Sequence, residues 1–266
     1  LLSAYASYDL GFATIENGLS SYKESQPARY VVTLAPGSIL DQSETYANKG
    51  ITNEFRVVSN DNTAFQWIFG SFYRDAKFTD TGFGTQGEET IDPFLAQIKS
   101  KSISIFGEAS YGFADDRVRV LVGARYFHDK RTFVNATNGI LDEENKATFE
   151  SFNPRFNISF KPNDRLNFYV NVAKGFRSGF RNYSFEIGQA ARYGITGIEV
   201  VDPDSIWTYE IGAKAASADG NLSAEAALFY SDWKDFQYQA ATPDGVGFQI
   251  NGGDSRIKGA EGRISW

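Results

Sequence analysis

The sequence contains no cysteine and no methionine, and His128 is its single histidine. Without cysteine the chain forms neither disulfides nor thiolate metal sites, and one histidine excludes a histidine cluster. No run approaches the roughly 18 apolar residues that a membrane-spanning helix requires. The net charge is −7 and the sequence shows no basic cluster, which argues against nucleic-acid binding. We therefore expect no cofactor, no metal site and no nucleic-acid partner.

Aromatic residues and strict alternation are abundant. The chain has 23 Phe and 14 Tyr among 266 residues, and apolar residues alternate with polar ones over ten residues or more. Strands of soluble proteins most often have about five or six residues, whereas a tilted membrane-spanning strand needs about nine to eleven. Between Arg165 and Arg177, one face carries Leu166, Phe168, Val170, Val172 and Phe176, and the other carries Asn167, Tyr169, Asn171, Ala173 and Arg177. We predict that the apolar face contacts lipid.

The links between these strands sort by length. Short polar turns are predicted at 59–62, 114–116, 162–164 and 218–220, and long links at 11–50, 75–97, 132–147, 178–205 and 236–246. Bacterial outer-membrane barrels have short periplasmic turns and long extracellular loops. The pattern predicts an all-β, antiparallel, up-and-down transmembrane β-barrel segment. It has ten strands, at about 1–10, 51–59, 63–74, 98–113, 117–131, 148–161, 165–177, 206–217, 221–235 and 246–266. The first rises from the periplasm, and Asn251-Gly252-Gly253-Asp254 is a candidate bulge or bend in the last.

Several stretches resemble the paired barrel strands of TonB-dependent outer-membrane receptors. They are SISIFGEASYGFADDRVRVLVGARYFHDKR, FNPRFNISFKPNDRLNFYVNVAKGFRSGF, TYEIGAKAASADGNLSAEAALFYSDWKDFQ and IKGAEGRISW, and they cover about residues 98 to 266. The resemblance implies a 22-stranded barrel filled by an N-terminal plug. It also implies an outer-membrane location, contact with lipid, and no enzymatic activity.

The same resemblance implies a function. Members take up scarce ligands, usually ferric siderophores and sometimes cobalamin or glycans, with energy delivered by the TonB–ExbB–ExbD complex through the plug. Residues 1–266 show no plug, no TonB box and no closing strand. We therefore expect a partial barrel domain, a piece of a longer protein.

Two groups of side chains are candidate site residues. The first faces the lumen, as a surface for the plug and for translocation or as a solvated wall of ion pairs: Glu108, Arg119, Arg125, Arg155, Lys161, Glu210, Lys214, Glu225, Glu261 and Arg263. The second offers cations and aromatic rings near two loop bases: Lys174, Phe176, Arg177, Phe180, Arg181, Tyr183, Trp233, Lys234 and Tyr238. An anionic ferric chelate suits such a set, although the same residues suit an interfacial anchor at lipid headgroups.

Two other functions remain open from the residues alone. A passive diffusion porin would use a related barrel without a plug. An outer-membrane hydrolase would need a serine and an acid beside His128, and no serine stands out in the sequence.

Overall fold

The chain is almost entirely β-structure. A computed structural model describes residues 1–35, 38–60, 63–243 and 245–266. Its elements are β1 (Leu2–Asp9), β2 (Ala13–Ala35), β3 (Ser38–Ser59), β4 (Phe65–Gln86), β5 (Glu89–Phe113), β6 (Val118–Thr137), β7 (Ile140–Asn163), β8 (Leu166–Arg177), β9 (Phe180–Arg181), α1 (Ser184–Ala191), β10 (Val200–Val201), β11 (Asp204–Ala216), β12 (Ser223–Lys234), β13 (Gln237–Ala241), β14 (Gly247–Asn251) and β15 (Ser255–Ser265).

One antiparallel sheet dominates the fold. It has eleven strands in the order β1-β2-β3-β4-β5-β6-β7-β8-β11-β12-β15, and two small sheets pair β9 with β10 and β13 with β14. Each long strand pairs with the next long strand along the chain, so the predicted up-and-down antiparallel architecture is confirmed. The sheet is open, with β1 and β15 as its edges, and it contains eleven strands where ten were predicted.

The first predicted long link is the source of this difference. Residues 11–50 are mostly strand, because β2 and β3 pair from Ala13 with Ser59 to Ala35 with Ser38, with one register shift between Thr33 and Ala35. The prediction that β1 rises from the short-turn end was therefore wrong, since β1 runs down to a tight turn at residues 10–12. Outside a bilayer both faces of a strand can be polar, so the alternation fades while the backbone ladder continues.

The links at 75–97 and 132–147 are also extensions of paired strands. β4 and β5 have 22 and 25 residues, and β6 and β7 have 20 and 24, so both hairpins continue well beyond a membrane-spanning length. The 178–205 link contains β9, α1 and β10, and the 236–246 link contains β13. Residues 252–254 separate β14 from β15, which confirms the predicted break in the last strand.

The short turns lie together at one end of the sheet, because successive strands reverse direction. The turns at 114–116 and 218–220 fall between consecutive long strands as predicted, and the turn predicted at 162–164 begins at the last two residues of β7. Of the turn predicted at 59–62, Asp61 and Asn62 lie outside the described residues. At the additional turn, Gly11 has φ +86° and its N–H donates to Asp9 Oδ1 at 2.7 Å.

One face of the sheet is apolar and uncovered. Phe69, Val122, Ile211 and Leu228 on this face are 54%, 54%, 58% and 61% exposed. Such a continuous apolar surface is costly in water and requires an apolar neighbour. The described helical residues form no segment that is both long and apolar enough to cross a bilayer.

Candidate functional site

The opposite face is polar, and strand register fixes its members. The cross-strand pairs Gly123 with Arg155, Asn171 with Glu210, and Glu225 with Arg263 join β6 to β7, β8 to β11 and β12 to β15 on one side of the sheet. All ten residues predicted to face the lumen lie on this one face: Glu108, Arg119, Arg125, Arg155, Lys161, Glu210, Lys214, Glu225, Glu261 and Arg263. We call it the polar face.

Several charges of the polar face neutralise one another. Arg155 Nη1 lies 3.1 Å from Glu108 Oε2, and Lys214 Nζ lies 3.6 Å from Glu225 Oε2. Arg119 donates to Gln66 Oε1 at 2.8 Å and pairs with an acid in the adjacent turn. These contacts support the solvated-wall interpretation for the pairs themselves.

A cleft of about 550 Å³ on the polar face is lined by two cations that differ from these paired charges. Its lining includes Arg125 of the polar face and Lys174, whose register with Trp207 places it among the apolar positions of β8, together with two acids, Glu54 and Glu108. Each of these acids has an arginine within reach: Arg155 pairs with Glu108, and Arg56 lies 3.6 Å from Glu54 and 2.8 Å from Glu16. In the described part of the chain, no carboxylate forms an ion pair with Arg125 or Lys174.

Aromatic rings surround this uncompensated charge. The guanidinium carbon of Arg125 lies 6.0 Å from the ring centroids of both Phe72 and Phe127. The Phe127 ring packs against Phe176, with centroids 4.9 Å apart. Phe176 was expected on the lipid-facing side of its strand, but its ring contacts a residue of the polar face. The cleft therefore combines free positive charge with flat apolar surface. We call it the cationic cleft.

Arg177 and Trp233 belong to a different arrangement, around the carboxylate of Asp204. Asp204 is 1% exposed and accepts hydrogen bonds from Arg177 Nε at 2.8 Å, Trp233 Nε1 at 3.0 Å and the Gln237 N–H at 3.1 Å. Burial raises the pKa of Asp204, but these donors outweigh it, so the pKa lies below its usual value. The charge of Arg177 is thus already matched.

Gln237 and Asn251 extend this arrangement between loops. Gln237 Nε2 donates to the carbonyls of Ser178 at 3.1 Å and Asp202 at 2.8 Å. Asn251 Nδ2 donates to the carbonyls of Asp202 at 3.1 Å and Asp235 at 2.7 Å. The segment 178–205 is therefore tied to the β13–β14 hairpin, and a small apolar cluster of Ala190, Ile198 and Phe248 stabilises the pair.

The segment 178–205 also packs onto the polar face. Asp129, which is fully buried, binds Arg131 Nε at 2.7 Å and accepts from Ser100 Oγ at 2.7 Å. Arg131 Nη1 then donates to the Gly179 carbonyl at 3.0 Å, and Phe180 meets Phe133 edge to face at 5.8 Å. The start of this loop is thereby folded inward over the sheet.

The remaining predicted ligand residues are dispersed. Lys234 Nζ is bound by Asp254 at 2.5 Å, and Tyr238 stacks near Phe236 at 5.5 Å. Tyr183 lies 6.5 Å from Phe180, and Arg181 is paired in register with Val200. Only Lys174 and Phe176 of the predicted set adjoin the cationic cleft.

Sequence reasoning missed Phe72, Phe127 and Asp204 as site residues. Phe72 and Phe127 sit in strands where aromatic residues are common, so only register shows that they flank one arginine. A buried acid such as Asp204 carries no local signal, because its partners come from three separate segments.

A second cleft, of about 680 Å³, lies on the extended β2–β4 hairpins. Beside it, Tyr46 donates to Glu44, and its hydroxyl lies 3.2 Å from that of Tyr30. Burial, and then the charge of Glu44, raise the pKa of Asp80 to about 6. Arg29 and Glu44 both line this cleft, so its described lining carries no surplus of positive charge for an anion.

His128 lies on the apolar face, in register with Glu150. Its Nδ1 lies 2.8 Å from Glu150 Oε1. Among the residues described, no serine hydroxyl bonds the ring, so the third member that a hydrolase needs is not in place there.

Comparison with known proteins identifies the family. The model of the TonB-dependent receptor-like β-barrel matches residues 2–266. The ferric yersiniabactin uptake receptor FyuA from Yersinia pestis is 16% identical, with a TM-score of 0.76 over 99% of this chain and 39% of that one. The copper transporter OprC is 14% identical, with a TM-score of 0.74 over 98% of this chain and 42% of that one. BauA, the ferric preacinetobactin receptor from Acinetobacter baumannii, is 13% identical, with a TM-score of 0.68 over 98% of this chain and 41% of that one.

At such identities the structures establish a shared fold, and this chain spans about two fifths of each of these proteins. The family itself is one of outer-membrane transport receptors rather than enzymes. The match over nearly every residue shows that this chain belongs to the family of TonB-dependent receptor-like β-barrels.

Proposed function

We propose that this chain forms part of the wall of an outer-membrane receptor that takes up a ferric siderophore with energy from TonB. The cationic cleft is the observation that carries the proposal. Arg125 and Lys174 offer two positive charges that have no carboxylate partner among the described residues, and Phe72 and Phe127 flank Arg125. Anionic chelates with flat ligand groups are bound by cations beside aromatic rings.

In this arrangement the polar face lines the lumen and the apolar face contacts lipid. The plug of the complete receptor would lie against the polar face and connect it to the TonB–ExbB–ExbD complex. The paired charges, such as Arg155 with Glu108, keep the wall hydrated, whereas the two unpaired cations attract the ligand. A passive porin is not favoured, because the family is one of TonB-dependent receptors.

Similar structures are named for two kinds of cargo, and the experiment compares binding of the two. FyuA and BauA are receptors for ferric siderophores, whereas OprC is a copper transporter. Two unpaired cations favour an anionic chelate over a free metal cation. We expect the full-length receptor to bind at least one member of a ferric siderophore panel, including ferric yersiniabactin, more tightly than Cu²⁺.

Substitution then tests the cleft. Arg125→Gln and Lys174→Gln should each weaken binding by about tenfold to a hundredfold, since a charge-assisted hydrogen bond contributes about 1.5–3 kcal/mol. Arg29→Gln is the matched control, because Arg29 forms an ion pair with Asp41 at 2.7 Å on a distant hairpin. Binding of copper but no ferric chelate, or equal affinity in both cleft variants and the wild type, would refute the proposal.

A further inference from the structure

Four lysines stand in direct cross-strand register on four consecutive strands. Lys23 pairs with Lys49, Lys49 with Lys77, and Lys77 with Lys99, across β2, β3, β4 and β5. Successive members lie 26, 28 and 22 positions apart in the sequence. No local run of basic residues therefore indicates the row. We call this row the lysine ladder.

The lysine ladder lies on the apolar face, above its uncovered hydrophobic residues. Two positions below Lys77 and Lys99 are Asp75 and Lys101, and two further below are Tyr73 and Ile103, which are 41% and 47% exposed. The ladder stands 10 to 14 residues from the short-turn ends of its strands. At about 3.3 Å per residue and a tilt near 40°, this places it about 25–35 Å higher, at the upper border of the apolar band.

Further lysines widen the row. Lys101 pairs in register with Lys130, and Lys146 stands opposite Thr132, the neighbour of Lys99. The facing acids are Asp75, 3.3 Å from Lys101, and Glu144, 3.1 Å from Lys146. Within the described ranges, no carboxylate forms an ion pair with a member of the ladder itself.

This arrangement is unfavourable unless something neutralises it. Like charges directly opposite each other on adjacent strands destabilise a sheet. Burial, followed by the charges of Lys49 and Lys99, lowers the pKa of Lys77. The whole chain is acidic, with a net charge of −7, so a row of cations without ion-pair partners in the described part of the chain is not a general feature of its surface.

We propose that the lysine ladder binds the phosphate groups of a phosphorylated lipid in the outer leaflet. The ladder crosses four strands within about 10 Å of height, near where headgroups of the surrounding lipid would lie, and a line of ammonium groups complements a line of phosphates. Basic clusters at the edge of a membrane-spanning region bind anionic lipid in this way. The inference rests on the membrane placement proposed above, but not on the identity of the cargo.

The test measures binding of fluorescent diphosphoryl lipid A by the full-length receptor in a neutral detergent. The wild type should bind it, and more weakly as salt rises. The double variant K49Q/K99Q should bind about 25-fold more weakly, since each lysine near an anionic surface contributes about fivefold. K49R/K99R, which keeps both charges, should retain binding.

The matched control is R117Q/R165Q, which removes two exposed cations at the short-turn end and should leave lipid A binding unchanged. The inference is overturned if K49Q/K99Q binds like the wild type, if the control loses as much, or if inorganic phosphate displaces lipid A as well as lipid A displaces itself. Resistance of the folded barrel to SDS confirms that each variant is folded. Siderophore binding, measured on the same samples, reports separately on the proposed function.

Discussion

The carboxylate of Asp204 holds the guanidinium of Arg177 beneath the outer loops, where β8, β11 and the β13 segment meet. The acid is 1% exposed, and the Arg177 guanidinium carbon also lies 5.0 Å from the Trp233 ring centroid. The contact between Arg177 and Asp204 therefore joins two loops, 178–205 and 236–254, that are more than twenty residues apart in the sequence.

Replacing Asp204 by Asn should loosen these loops. The change removes the charge that accepts from Arg177, Trp233 and Gln237, and breaking a buried pair costs about 3 kcal/mol, or nearer 2 kcal/mol here because half of the Arg177 side chain is exposed. Hydrogen exchange of residues 178–205 and 236–254 should accelerate. Asp41→Asn, which breaks the exposed pair with Arg29, should change exchange little, and an equal effect of both substitutions would contradict the prediction.

Acid should act on the same contact. Since the folded-state pKa of Asp204 lies below its usual value, its stabilisation is fully present above about pH 4. It is then lost as the pH falls through the lower folded-state pKa. Exchange of the two loops in the wild type should therefore accelerate only in this acid range, and the Asp204→Asn variant should lack the transition.

Gly179 marks the inward fold of the 178–205 segment. A Cβ at this position would lie 2.1 Å from a ring carbon of Phe149 and 2.6 Å from the Val201 carbonyl oxygen. Gly179→Ala should therefore displace the loop and destabilise it by about 1–3 kcal/mol, as measured by protease resistance. Gly188→Ala in α1, where nothing lies within 4 Å, should be neutral or stabilise the helix by up to about 1 kcal/mol. Equal protease resistance of the two variants would show that the close approach is unimportant.

The two faces of β8 can be separated with neighbouring residues. Val170 belongs to the apolar face and is 37% exposed, and Asn171 belongs to the polar face. Val170→Lys in the full-length receptor should lower the stability of the membrane-inserted protein by about 2–4 kcal/mol, whereas Asn171→Lys should be tolerated. The folded fraction in bilayers, read from electrophoretic mobility without heating, gives the measurement. A larger loss for Asn171→Lys would reverse the assignment of the faces.

Asp80 should make the β3–β4 hairpin more stable in mild acid. Its pKa of about 6 exceeds the ordinary value, so the folded state binds a proton more tightly than the unfolded state. Stability therefore rises as the pH falls from 7 through 6 towards 4. Asp80→Asn should stabilise the hairpin by about 1 kcal/mol at pH 7, after allowance for solvent screening, and by nothing near pH 4. Hydrogen exchange of residues 38–86 provides the readout.

The matched variant for this prediction is Asp75→Asn, which removes an acid that is paired with Lys101 on the opposite face. It should not stabilise the hairpin at pH 7. A gain in the Asp80 variant that is independent of pH would point to packing rather than to the proton.

Alternation of apolar and polar residues was sufficient to predict the membrane-spanning core of the fold. Side chains two positions apart share a face of a strand, so Leu166, Phe168 and Val170 identify their strand without any partner. The same rule puts all ten candidate lumen residues on one side of the sheet, as the strand register does. It failed at residues 11–50, because strands with two polar faces carry no alternation, and their pairing is decided by backbone hydrogen bonds to neighbouring strands.

The sequence by itself determined the antiparallel strands, their two faces and the family. Only the tertiary structure decided which charges meet. Arg125 forms no ion pair within the described ranges, Arg177 pairs with Asp204, and four lysines form one row, although nothing in their local sequence distinguishes these outcomes. The physical reason is that the face of a residue follows from its own strand, whereas its cross-strand partner depends on register, which turn lengths and the ladders of neighbouring strands set together.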